Sequence, residues 1–195
     1  MSDAFTSIFK AIEQDSQNQA YTTQGIHPLY TAAPGARILV VGQAPGRIAQ
    51  DTQIPWNDKS GDRLRRWMNI SREDFYDPQK ISLLPMDFYF PGKGKSGDLA
   101  PRKGFAQKWH PQLLELMPNI QLTILIGKYA LSHYLDLPKT VHITEVVRNY
   151  KHYTPDYFPL VHPSPRNQIW LKQNPWFEEE VIPQLQSSIS QALLT

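Results

Sequence analysis
Apolar residues follow two rhythms along the chain. Phe5, Ile8, Phe9 and Ile12 recur at helical spacing, which predicts an amphipathic helix over residues 4–13. Four short runs are instead apolar without alternation: Arg37–Gly42, Lys80–Pro85, Leu122–Gly127 and Tyr157–His162. Unbroken runs rich in Ile, Leu and Val belong to strands covered on both faces, as in a parallel sheet between helices. Helix-like stretches separate them, at Gly61–Asn69, Phe105–Met117, Lys128–Leu137 and Ile143–Tyr153. A last one, Pro175–Leu194, starts behind Asn174 with proline in its first turn and Glu178, Glu179 and Glu180 where negative charge is favoured. Gln14–Thr23 reads as a polar connection, and Tyr30–Gly35 as a Pro/Gly lead into the first strand.

Strands alternating with helices predict an α/β domain of three layers, α/β/α, around a central, mainly parallel four-stranded sheet. The 195 residues contain no internal repeat or composition break, so one domain over 1–195 is expected, with its core about 37–167. Such sheets bind ligands beyond the carboxyl ends of their strands. The segments after Gly42, Pro85, Gly127 and Val161 are therefore where chemistry is expected.

Composition narrows the chemistry. With no cysteine, the chain has no disulfide, thiolate zinc site, cysteine nucleophile or cysteine-ligated iron–sulfur cluster. Seventeen prolines outnumber ten glycines, so rigid residues punctuate the chain. No apolar run reaches the roughly 18–20 residues needed to span a bilayer, and the first residues lack signal-peptide features. A monomeric cytoplasmic protein with no membrane partner is the expectation. A net charge of +2 says little about nucleic acid, but its distribution is uneven. Lys93, Lys95, Arg102, Lys103 and Lys108 meet only Asp98, five positive charges less one, or +4. Lys59, Arg63, Arg65 and Arg66 form a second basic cluster.

Two strand ends carry distinctive segments. After the first strand, Gly42-Gln43-Ala44-Pro45-Gly46 makes a tight loop that a ligand could approach closely. It is neither a dinucleotide fingerprint nor a phosphate loop, and a plain strand-to-loop turn would read the same. After the last strand, His162-Pro163-Ser164-Pro165-Arg166-Asn167 places a histidine ahead of two rigid prolines and an arginine. The other five histidines lie in helix-like or loop positions and read as structural.

Together these segments resemble the first and second motifs of the uracil-DNA glycosylase superfamily. Ile54-Pro-Trp-Asn-Asp-Lys-Ser-Gly61 is similar to the Pro-Phe-x-Gly-x-Ser-Gly segment of its thermostable iron–sulfur branch. The resemblance implies a cofactor-free enzyme that flips uracil, or another deaminated base, out of DNA and hydrolyses its N-glycosidic bond in base excision repair. It implies His162 and Gln43 as catalytic groups, with His162 donating to the departing base. Ala44 and Pro45 would hold the base, and Trp56 would stack on it. Ser60 and Ser164 suit phosphate contacts, and the Pro163–Arg166 loop, with Pro165, would enter the minor groove. By its charge alone, the segment with Lys93, Lys95, Arg102 and Lys103 suits tracking phosphates.

Departures from the family pattern are as informative. Related branches carry a carboxylate in the first motif or shortly after it, where this chain has Ala44, Ala49 and Gln50. Asp51 is the nearest acid able to orient water. The family's pyrimidine-reading asparagine falls on Leu84, leaving Asp87 and Tyr89 as candidate readers of the base edge. No lysine sits in either motif, so hydrolysis without a lyase step is expected. The alternatives are an inactive superfamily member that binds DNA or a modified base, and a hydrolase of free nucleosides. All three require Gln43, Trp56 and His162 to line one pocket.

Overall fold
The structure, a computed structural model, describes residues 3–138 and 140–194. In chain order it runs α1 (Asp3–Gln14), α2 (Gln19–Thr23), β1 (Ile38–Val41), α3 (Arg47–Thr52), α4 (Lys59–Met68), α5 (Arg72–Tyr76) and β2 (Ile81–Leu83). Then follow α6 (Phe105–Glu115), β3 (Leu122–Ile126), α7 (Gly127–Tyr134), α8 (Ile143–Arg148), β4 (Tyr157–Leu160), α9 (Gln168–Gln173) and α10 (Ile182–Leu194).

The strands pair in the order β2-β1-β3-β4, and every pairing is parallel. Ile38 stands between Ile81 and Leu122, and Leu125 lies opposite Pro159. Proline is tolerated there because β4 is an edge strand and need not donate to a further neighbour. At the opposite edge, Thr31 and Leu83 exchange backbone hydrogen bonds of 3.0 and 3.1 Å, which covers β2.

Side chains alternate along each strand, and both faces are buried, which explains the unbroken apolar runs. Ile38, Val40, Ile124 and Leu160 join Leu64 and Met68 of α4 and Leu185 and Ile189 of α10 in one core. Leu39, Val41 and Leu125 face the other way, against Phe5 and Ile12 of α1, Phe105 and Leu113 of α6, and Leu131 of α7. Three layers result, with the strand ends left open on the carboxyl side.

The differences from expectation have local causes. The Gln14–Thr23 stretch is helical, held by polar contacts that periodicity does not register. Asn18 is fully buried and donates to the Ile12 carbonyl at 2.7 Å, and Thr22 donates to the Glu13 carbonyl at 2.7 Å. The C-terminal helix is not continuous from Pro175, because Phe177–Val181 forms a π-helical turn before α10. Pro183 lacks the N–H that would bond the Glu179 carbonyl, and its ring crowds that oxygen, so the ladder widens there.

Candidate active site
Beyond the carboxyl ends of the strands lies a cleft of about 400 Å³, within the usual range for small-ligand sites. Gln43, Ala44, Pro45, Trp56, Ser60, His162, Ser164 and Arg166 all line it. An adjoining depression over the end of β3 shares Gln43, Ser96, Asp98 and His162, so the two are continuous.

The floor is built around Trp56. Its φ of 56° lies in the left-handed region, unfavourable for a bulky residue by about 1–3 kcal/mol. Its surroundings hold it there. Gly61, in the first turn of α4, approaches so closely that a Cβ would stand 1.8 Å from the Trp56 carbonyl oxygen. Arg65 Nη1 donates to that oxygen at 3.3 Å and to Tyr76 Oη at 3.1 Å, while Tyr76 donates to the Pro55 carbonyl at 2.7 Å. The indole thus stands beside Gly42, its ring centroid 5.8 Å from that of His162.

His162 follows β4 on a braced loop. Asn167 Nδ2 donates to its carbonyl at 2.7 Å, and Arg63 Nη1 donates to the Ser164 carbonyl at 3.0 Å, tying the loop to α4. Burial lowers the His162 pKa below the ordinary histidine value, opposed by the negative charges of Asp58 and Asp98. The ring is therefore held towards its neutral form, which keeps one N–H to donate and one nitrogen to accept. Gln43 Nε2 donates to the Leu99 carbonyl at 3.1 Å, linking the first loop to the 92–99 turn.

Several expected site residues are elsewhere. Asp51 does not line the cleft; it lies exposed on α3, 3.8 Å from Arg47. Its neighbour Gln50 is buried and accepts from the Phe90 N–H at 3.0 Å. Asp87, expected to read a base, is fully buried, and its two oxygens accept from Arg102 Nε and Nη2, both at 2.8 Å. Arg102 also donates to the Gln17 carbonyl and Asn18 Oδ1, and its guanidinium lies 4.7 Å from the Phe105 ring centroid. It clamps the N-terminal segment and is not free for phosphate. Tyr89 is fully buried, stacked on Tyr21 at 4.4 Å, and cannot reach a base. Leu84 is likewise core.

Pro163 is buried too, so Ser164, Pro165 and Arg166 form the outward part of their loop. Lys93, Lys95 and Lys103 are exposed, and among the described residues none forms an ion pair. Lys108 instead pairs with Asp15, and Arg65 is buried.

Two carboxylates absent from the expected site line the cleft: Asp58 and Asp98. Asp58 precedes α4 and accepts the Gly61 N–H at 2.9 Å, an N-cap that its position three residues before Gly61 could have signalled. Asp98 is the lone acid of the basic segment. Among the described residues, no three His, Cys, Asp or Glu side chains gather as a metal-binding group. The absence of cysteine leaves a cysteine-ligated iron–sulfur cluster without ligands.

A solution NMR structure from Methanosarcina acetivorans, described as a "putative Uracil DNA glycosylase", shares 15% identity over 82% of this chain and 94% of its own, with a TM-score of 0.46. The family model of the uracil DNA glycosylase superfamily matches residues 29–186. That match covers most of the sequence, and the chain belongs to the uracil DNA glycosylase superfamily.

Proposed function
We propose that the protein is a monofunctional DNA glycosylase that hydrolyses the N-glycosidic bond of uracil, or another deaminated base, flipped out of DNA in base excision repair. The observation that carries this reading is the convergence of Gln43, Trp56 and His162 on one cleft at the open edge of the sheet. The superfamily match supports DNA as the partner.

The chemistry follows from charge. As the C1′–N bond breaks, the sugar becomes positive and the base negative. A donor already aimed at the base stabilises that anion most in a site shielded from water. A neutral His162 ring can donate one N–H to a base carbonyl without bringing a full charge into the cleft. Trp56 offers an aromatic face for the base, and Gln43 and the backbone at Ala44 and Pro45 define the adjacent wall. Exposed Lys93, Lys95 and Lys103, with Arg166 and the hydroxyls of Ser60 and Ser164, suit the flanking phosphates. Neither motif carries a lysine, so the reading is hydrolysis without an imine.

Single- and double-stranded oligonucleotides containing uracil, hypoxanthine or xanthine, cleaved with alkali after incubation, test this. Scission with at least one of them is expected, and His162→Ala should slow it by about 10²–10³-fold. A second reading, DNA binding without hydrolysis, draws on the alanines and glutamine at positions 44, 49 and 50 and on the outward Asp51. Tight binding with no scission at enzyme excess would establish it instead.

A further inference from the structure
We propose that Asp98 is the carboxylate facing the deoxyribose of the flipped nucleotide, where it steers water onto C1′ and balances the positive charge of the sugar. The proposal rests on the glycosylase reading above and supplies the acid that neither motif provides.

The cleft has a direction. Its floor is apolar, formed by Trp56 beside Gly42 with Leu83 and Pro85. Its mouth lies between the 92–99 turn and the Ser164–Arg166 loop, which meet across it. Arg166 Nη1 stands 3.2 Å from where a Cβ on Gly97 would be. A planar base belongs on the apolar floor, while its sugar, still joined to the DNA backbone, must remain at the mouth. Asp98 is at that mouth, with Oδ2 3.8 Å from the position of a Cβ on Gly46.

The turn that carries Asp98 is built rather than loose. Gly94 donates to the Gly97 carbonyl at 2.8 Å, and Leu99 donates to the Gly92 carbonyl at 2.9 Å. Gly92 and Gly97 adopt φ of 107° and 90°, which suit glycine. Gln43 holds the Leu99 carbonyl, so the residue beside Asp98 is fixed to the first-strand loop.

Elimination points the same way. Asp51 lies outside the cleft beside Arg47. Asp58 has one oxygen engaged by the Gly61 N–H. Among the described residues, the Asp98 carboxylate has neither a hydrogen bond nor an ion pair, so both oxygens are open to water and sugar. Asp98 shares the lining of the cleft with His162 and Gln43.

In the reaction, water oxygen bonds to C1′ as the C1′–N bond breaks and its electron pair leaves with the base. The proton released by the water passes to Asp98 and then to solvent, and the base anion regains a proton from solvent. One water is consumed, and no oxidant or second substrate is needed.

The test compares wild type, Asp98→Asn and Asp51→Asn. Two readouts are used: single-turnover base release, and affinity for duplexes carrying a cationic pyrrolidine or a neutral tetrahydrofuran abasic-site analogue. Wild type should prefer the cationic duplex by about tenfold or more, and Asp98→Asn should lose that preference while binding the neutral duplex equally well. Base release should fall about 10²-fold in Asp98→Asn and be unchanged in Asp51→Asn. An unaltered preference or rate in Asp98→Asn, or no preference in wild type, overturns the assignment while base release by wild type preserves the glycosylase reading. If wild type releases no base from any oligonucleotide yet shows a cationic preference that Asp98→Asn removes, the glycosylase reading fails and the placement of Asp98 stands.

Discussion

The Trp56 indole occupies the space that a side chain on Gly42 would need: a Cβ there would stand 2.7 Å from Cζ2. The first motif and the stacking aromatic are therefore one fitted unit. Gly42→Ala should push the indole off the floor, at an overpacking cost of about 1–3 kcal/mol. Because Trp56 lines the cleft, base release should fall by tenfold or more, on the order of the conversion of 1.4 kcal/mol. Single-turnover rates alongside thermal melts check this, and a wild-type rate in Gly42→Ala would contradict the fit.

Arg65 should matter for stability more than for DNA contact. It lies inside the second basic cluster of the sequence, yet only 7% of it is exposed. It bonds the Trp56 carbonyl, Tyr76 Oη and Asp62 Oδ1, and its guanidinium lies 5.2 Å from the Phe75 ring centroid. Arg65→Ala should cost about 2–4 kcal/mol by leaving buried acceptors unpaired. Exposed Arg66→Ala should be nearly neutral. Urea titration of both variants measures the contrast, and equal midpoints would refute it.

How much of this was legible in the sequence depended on what holds each part together. The four strands were readable because burial on both faces demands unbroken apolar runs, as in Ile38–Val41 and Leu122–Ile126. That His162, Gln43 and Trp56 would share one cleft was readable because each sits in a short segment resembling a family motif. The short helices α3 and α9 were not, because six residues span less than two turns and leave little periodicity to detect. The Asp87–Arg102 pair was misread because its partners are 15 residues apart and meet at a contact that also takes in Gln17 and Asn18 of the N-terminal segment. Asp98 was missed because formal charge counting merges a carboxylate at the rim of the cleft with the exposed lysines around it.

The two halves of the basic segment should separate by experiment. Arg102→Ala breaks a buried ion pair and should destabilise the fold by about 3–5 kcal/mol. Replacing Lys93, Lys95 and Lys103 together with glutamine should leave the melting temperature almost unchanged. It should weaken DNA binding and lower the slope of log K against log salt by up to about 0.9 for each lysine that touches phosphate. Binding measured at several salt concentrations, beside thermal melts, resolves the two effects. An unchanged slope would exclude the lysines from the interface.

His110 gives stability a pH dependence of definite sign. Its ring is 1% exposed, with Nε2 2.9 Å from the Pro85 carbonyl and Nδ1 2.7 Å from Tyr134 Oη. A carbonyl only accepts, so Nε2 carries the proton and Nδ1 accepts from the tyrosine. Burial lowers its pKa from 6.5 to about 4, partly opposed by the bond to Pro85 and assisted by His133. The unfolded chain therefore takes up this proton first as pH falls. The contribution is full above about 6.5, shrinks as pH drops to 4 and is gone below, in total about 3 kcal/mol. His110→Gln removes the titration, so its stability deficit at pH 7 should narrow towards pH 4. Urea unfolding of both proteins across that range checks this, because groups shared by the two cancel in the difference. A deficit that stays constant with pH would mean that His110 is not held neutral.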